Sequence, residues 1–109
     1  MEMLECFSEL EMRIGTVVEV EAFPEARKPA YKLKIDFGTH GVMQSSAQIT
    51  ALYGTGELVG RQVVAVTNLP PRRIAGFVSE CLVLGFQTTS TEVVLLEPER
   101  TVANGTRVS

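Results

Sequence analysis

Tyr31-Lys32-Leu33-Lys34-Ile35-Asp36-Phe37 alternates without a fault, apolar at every odd position and charged at every even one. A period of two sends successive side chains to opposite faces, so this stretch predicts a half-buried β-strand with Lys32 and Lys34 on its outer face. Upstream, Phe23-Pro24-Glu25-Ala26-Arg27-Lys28-Pro29 reads as a turn, because its two prolines disfavour both strand pairing and helix. Before that turn the period is again two. Met12, Ile14, Val18, Val20 and Ala22 are expected on one side, with Arg13, Glu19 and Glu21 on the other. Downstream, Gly38-Thr39-His40-Gly41 is tight enough for a hairpin into a third strand, Val42 to Ile49, since glycines supply the positive φ such turns need. That strand is polar at its centre, Gln44-Ser45-Ser46-Ala47-Gln48.

Ile49 to Gly60 holds Leu52, Tyr53, Leu58 and Val59 broken by Gly54 and Gly56, leaving room for at most two single helical turns. Gln62 to Leu69 is apolar and β-branched and reads as a strand buried on both sides, stopped by Pro70-Pro71. Ser79 to Phe86 and Glu92 to Glu97 supply two more strands, and Gly105 marks a final turn. At the other end, Met3, Leu4, Phe7 and Leu10 recur at three- and four-residue intervals. They predict a short N-terminal helix or arm over residues 1–11, capping a barrel end or meeting a partner. Five or six short strands with only short helices define an all-β barrel or sandwich.

With 109 residues, of which 45% are apolar, the chain has enough material for one core and is expected to form a single domain over 1–109. No run approaches the roughly 18 apolar residues that cross a bilayer, and Met1-Glu2-Met3-Leu4-Glu5 is acidic where a signal peptide would be basic. A cytoplasmic protein without membrane insertion is expected. Cys6 and Cys81 form no C-x-x-C pair and read as reduced thiols.

The net charge of −3 is unevenly spread. Residues 1–25 carry seven Glu against Arg13 alone. Residues 26–73 carry Arg27, Lys28, Lys32, Lys34, Arg61, Arg72 and Arg73 against Asp36 and Glu57. A basic face on an acidic protein suits a local anionic partner better than unspecific coating of nucleic acid.

Catalytic and metal chemistry find little footing. The only histidine, His40, sits in a glycine-flanked loop, and the only aspartate, Asp36, lies beside lysines on a strand. No clustered set of His, Cys and carboxylate positions proposes a metal or other cofactor, and no nucleophile can be paired with a base. A binding module is expected rather than an enzyme.

Several segments together resemble the CsaA family. They are Arg13-Ile14-Gly15-Thr16-Val17, the run Pro24 to Gly38, Gln44-Ser45-Ser46-Ala47-Gln48-Ile49-Thr50, Leu58 to Val66, Asn68 to Phe77, and Ser79-Glu80-Cys81-Leu82-Val83-Leu84-Gly85. The resemblance implies a five-stranded OB-type Greek-key barrel with short helices at the N-terminus and between strands 3 and 4. That fold is similar to the tRNA-binding domain appended to some methionyl-tRNA synthetases. It further implies a homodimeric export chaperone that holds unfolded preproteins and works beside the Sec translocation ATPase. The tRNA-binding relatives carry Ser-Glu-Gly-Met where this chain reads Ser79-Glu80-Cys81-Leu82, so Ser79 carries over as a polar contact while the methionine does not.

Two ligand faces follow. For a peptide, Phe23, Tyr31, Tyr53 and Phe77 are the candidate apolar contacts, with Arg27 and Lys28 meeting acidic parts of a client. For tRNA, Lys32, Lys34, Arg72 and Arg73 would hold phosphates while Gln44, Ser46, Gln48 and Asn68 bond to bases or riboses, joined by Ser79.

Overall fold

The perfect alternation at 31–37 folds as expected. In the computed structural model, which describes residues 3–109, Leu33, Ile35 and Phe37 are almost completely buried, and Lys34 lies outside. Met1 and Glu2 of the expected arm lie outside the described residues. Strands β1 (Met12–Ala22), β2 (Tyr31–Asp36) and β3 (Val42–Ala47) form an antiparallel meander. A one-turn helix, α2 (Thr55–Leu58), follows, and the buried Leu58 plugs the core. Strand β4 (Gln62–Val66) then returns to the free side of β1. Three hairpin-connected strands with the fourth beside the first make a Greek key.

The rest of the chain is more broken than its hydrophobic pattern suggests. Ser79 to Phe86, expected as one strand, contributes to β6 (Phe77–Ser79), β7 (Leu82–Val83) and β8 (Gly85–Gln87). Strand β6 pairs with β5 (Arg72–Ile74), and β8 pairs with β9 (Val93–Leu95). The main sheet runs β3-β2-β1-β4-β7. Its two ends are joined by a few bonds in place of a full ladder. The Glu80 N–H donates to Gln44 O at 2.8 Å, and the Gln44 N–H to the Glu80 carboxylate at 3.0 Å. The Ser46 N–H donates to Ser79 Oγ at 3.0 Å. Buried Ser45 donates to Cys81 O, also at 3.0 Å. The result is a nearly closed five-stranded barrel of OB type.

Strand β1 departs from its expected faces. Val17 pairs with Ile35 but Glu19 pairs with Lys34, so Val18 is an extra residue in a β-bulge. The bulge shifts the phase by one. Val17 therefore points into the core at 1% exposure, while Val18 is 48% exposed. Gly15 is also buried, and a Cβ there would lie 2.6 Å from Ile35 and 2.7 Å from the Phe37 ring. Only glycine lets β1 and β2 close this tightly. Strand β4 is likewise shorter than expected. It ends at Val66: Thr67 N–H still donates in register to Glu11 O at 2.8 Å, but the Glu11 N–H goes to the Asn68 side chain at 2.8 Å, and the strand's outer residues Gln62 and Val64 are only half-buried.

The C-terminal segment adds a further edge to β1. Ile14 N–H donates to Thr106 O at 3.0 Å, Gly105 N–H to Ile14 O at 2.8 Å and Val108 N–H to Met12 O at 2.8 Å. The N-terminal helix α1 (Met3–Glu9) buries none of its residues. Its base is nevertheless held, because Arg107 donates to Ser8 O and Leu10 O while the Asn68 amide bridges Glu9 O and the Glu11 N–H.

Candidate ligand-binding cleft

Two segments frame the cleft. The turn between β1 and β2 closes on itself through Phe23 N–H to Ala30 O, which projects Arg27 and Lys28 outward. Opposite it stands the β5–β6 hairpin, whose two-residue tip is Ala75-Gly76, both at positive φ (47° and 83°). That is the primed turn matching the twist of paired strands. The hairpin lies outside the strands expected from the sequence, since Pro70-Pro71 masked the short strand after it; the signal was Ala75-Gly76 flanked by Ile74 and Phe77.

The hairpin is pinned across the outer barrel face by an aromatic clamp. Phe23 and Phe77 meet edge to face at 5.5 Å, and the Lys32 ammonium lies 4.7 Å from the Phe23 ring and 5.5 Å from the Phe77 ring. Phe23 is only 4% exposed. Beside the clamp, Lys34 pairs with Glu19 at 3.1 Å, and Lys32 sits across from Glu21 in the β1–β2 register. The outward lysines of β2 thus face a matching row of glutamates on β1. They share a recess of about 200 Å³ with Gln44 and Phe77.

Four cations without such partners converge elsewhere. A cleft of about 510 Å³ runs between the turn and the hairpin, lined by Arg27, Lys28, Arg72 and Arg73, with Ser46 and Gln48 of the β3 segment and Glu25 as its single acid. All four basic side chains are exposed, and among the described residues none forms a salt bridge. Four like charges around one concavity, against the single acid Glu25, give the cleft a positive potential. A second pocket of about 470 Å³ adjoins it through the shared residues Lys28 and Gln48. It is lined by Thr50, which closes the segment Gln44 to Thr50, and by Gln87, Ser90 and Thr91 from a polar run that carries no recognisable motif.

The remaining candidates are placed differently. Tyr31 donates its hydroxyl to Tyr53 O at 2.7 Å, and Tyr53 Oη accepts the Leu95 N–H at 3.0 Å, so both tyrosines tie the α2 approach to the barrel. The Gln44 amide donates to Val78 O at 2.8 Å. Ser79 Oγ accepts from Ser46 N–H, in the barrel seam. Asn68 bonds to the N-terminal segment rather than lining the cleft. Cys81, buried in that seam, has its thiol pushed up to about 12 by loss of solvent.

Fold and cleft together define a small OB-type ligand-binding domain. Residues 12–107 match the family described as Putative tRNA binding domain. Over 100% of this chain, it superimposes on chaperone CsaA from Bacillus anthracis with a TM-score of 0.95 and 53% identity, covering 99% of that chain. The CsaA chaperone from Picrophilus torridus follows at 0.91 and 45%, with both chains fully covered. Methionine–tRNA ligase of Methanococcoides burtonii is 35% identical over 92% of this chain. The chain spans 14–15% of the length of the methionine–tRNA ligases it matches. It belongs to the tRNA-binding-domain family, in the CsaA branch of that family.

Proposed function

We propose that this chain, acting as one unit over 1–109, is a homodimeric CsaA-like chaperone of the cytoplasm that holds unfolded preproteins for Sec-dependent secretion, with the Sec translocation ATPase as its downstream partner. The observation that carries this reading is the end-to-end likeness to the two CsaA chaperones, at 53% and 45% identity. The molecule supports a binding role in its own surface. Extended client segments would lie along the cleft, with Arg27 and Lys28 at one wall and Phe77 at the edge of the hairpin, drawing on the open edge of β5 for main-chain hydrogen bonds. The exposed stripe of Met3, Leu4, Phe7 and Leu10 suits a subunit contact. The test is suppression of aggregation of a denatured preprotein at stoichiometric ratios, with molar mass from light scattering. No suppression removes the chaperone role, and a monomer at micromolar concentration removes the dimer.

A second reading is favoured by the four unpaired cations: the same face binds tRNA, with Arg72, Arg73, Arg27 and Lys28 on phosphates and Ser46 and Gln48 as polar contacts. Arg72→Glu with Arg73→Glu is expected to weaken tRNA binding by about tenfold or more, and to flatten its salt dependence by about two phosphate contacts. Fluorescence anisotropy across a salt series measures both, and an unchanged slope removes the hairpin from the site.

A further inference from the structure

The cationic cleft and the pocket beside it differ in chemistry yet share a wall. The cleft offers four unpaired cations, whereas the pocket has Lys28 alone as a charged lining residue and is otherwise made of amides, hydroxyls and small apolar groups. Those polar groups are uncommitted. Among the described residues, no hydrogen bond engages the side chains of Gln48, Thr50, Gln87, Ser90 or Thr91, although neighbouring Thr89 is spent on the Thr91 and Glu92 N–H groups. A row of free donors and acceptors next to a concentration of positive charge matches a ligand that is neutral and polar at one end and anionic at the other. Large apolar residues are missing from the pocket, with only Pro29, Ala51 and Val93 among its lining, so it is poorly made for the bulky apolar side chains of an unfolded client.

We propose that the pocket and the cleft form one bipartite site for a nucleoside phosphate, with phosphate against Arg27, Arg72 and Arg73 and the ribose and base against Gln48, Gln87 and Thr91. It rests on the second reading above only for the anionic preference of the cleft. Both volumes fall within the range of about 300–1,000 Å³ usual for small-ligand sites. Two sources share this chemistry, a free mononucleotide and the terminal nucleotide of an RNA.

The experiment is an amide chemical-shift titration of the full chain with orthophosphate and with adenosine monophosphate. Orthophosphate is expected to move the resonances of Arg27, Arg72 and Arg73 alone. The nucleotide is expected to move these together with Gln48, Gln87 and Thr91, and to bind about fivefold or more tightly than orthophosphate, as one or two added hydrogen bonds allow. Gln87→Ala at the exposed end of β8, with Thr91→Val in the exposed loop that follows, should erase that difference while leaving the orthophosphate response intact. If the nucleotide moves only the resonances that orthophosphate moves, or none, the bipartite site is wrong. An unfolded peptide that shifts Gln87 and Thr91 where the nucleotide does not would also overturn it, and would give the pocket to a protein client. A linear RNA that outcompetes its circular form at the pocket identifies the terminus as the ligand, and equal competition identifies the free nucleotide. Failure of the tRNA reading looks different: tRNA would not bind, while the nucleotide response would persist.

Discussion

Gly15 and Cys81 show how single side chains hold this barrel shut. At Gly15 there is no room for a methyl group beside Ile35 and Phe37, both of which are fully buried and cannot step aside. Gly15→Ala is therefore expected to cost about 1–3 kcal/mol, the range of an overpacked core, measured by urea denaturation. Cys81 sits in the seam between β3 and β7, and burial holds its thiol neutral, with a pKa of about 12. Cys6 is exposed on α1. A thiol reagent at mildly alkaline pH should therefore label Cys6 alone in the native protein and both cysteines in denaturant; labelling of both in the native state would mean that the seam opens. The linkage has a definite sign. Because the folded pKa is raised, the neutral thiol's contribution to stability is complete below the unfolded pKa of about 9 and is lost as the pH climbs toward 12.

At the scale of elements, the β5–β6 hairpin and helix α1 are appendages fixed at few points. The hairpin tip places Ala75, a residue with a Cβ, at φ 47°, where glycine alone is unstrained. Ala75→Gly should stabilise the protein by about 0.5–1 kcal/mol, the left-handed penalty less the extra freedom gained by the unfolded chain. A fall in melting temperature would contradict the assigned turn. The aromatic clamp around Lys32 positions the same hairpin over the barrel, so Arg72 and Arg73 line the cleft from a braced strand. Helix α1 has no buried residue and owes its direction to Asn68 and Arg107. Asn68→Ala should leave global stability within about 1 kcal/mol, while amide exchange across residues 3–10 rises. No change there would mean that the helix is held by something other than its base.

Over the whole molecule, the last segment has an effect out of proportion to its length. Residues 102–108 supply main-chain partners for Met12 and Ile14, side-chain bonds to Gln62 and Arg13, and the cap on α1. Deleting residues 102–109 should cost at least about 3 kcal/mol from the lost hydrogen bonds alone, and a melting temperature lower by roughly 12 °C or more for a chain of this size. Little of that was legible in a tail of small and polar residues, whose partners lie some ninety positions away. Distance along the chain was the recurring obstacle. The alternation at 31–37, the polar third strand, the turn at 23–29 and the basic middle all follow from local period and composition. Each depends only on which residues stand next to each other; their order narrows the fold to a barrel or sandwich, and the CsaA resemblance supplied the five-stranded OB barrel. The bulge at Val18, the crossing of Ser79–Cys81 to β3 and the division of the basic residues had to wait for the fold. Lys32 and Lys34 look like Arg72 and Arg73 in sequence, yet the register sets the lysines opposite Glu19 and Glu21, and the hairpin leaves the arginines free. Charge patterning by itself determined that the middle of the chain is basic. Only tertiary structure decided which of those cations gather around one cleft and which meet a carboxylate, because a salt bridge is a property of neighbours in space.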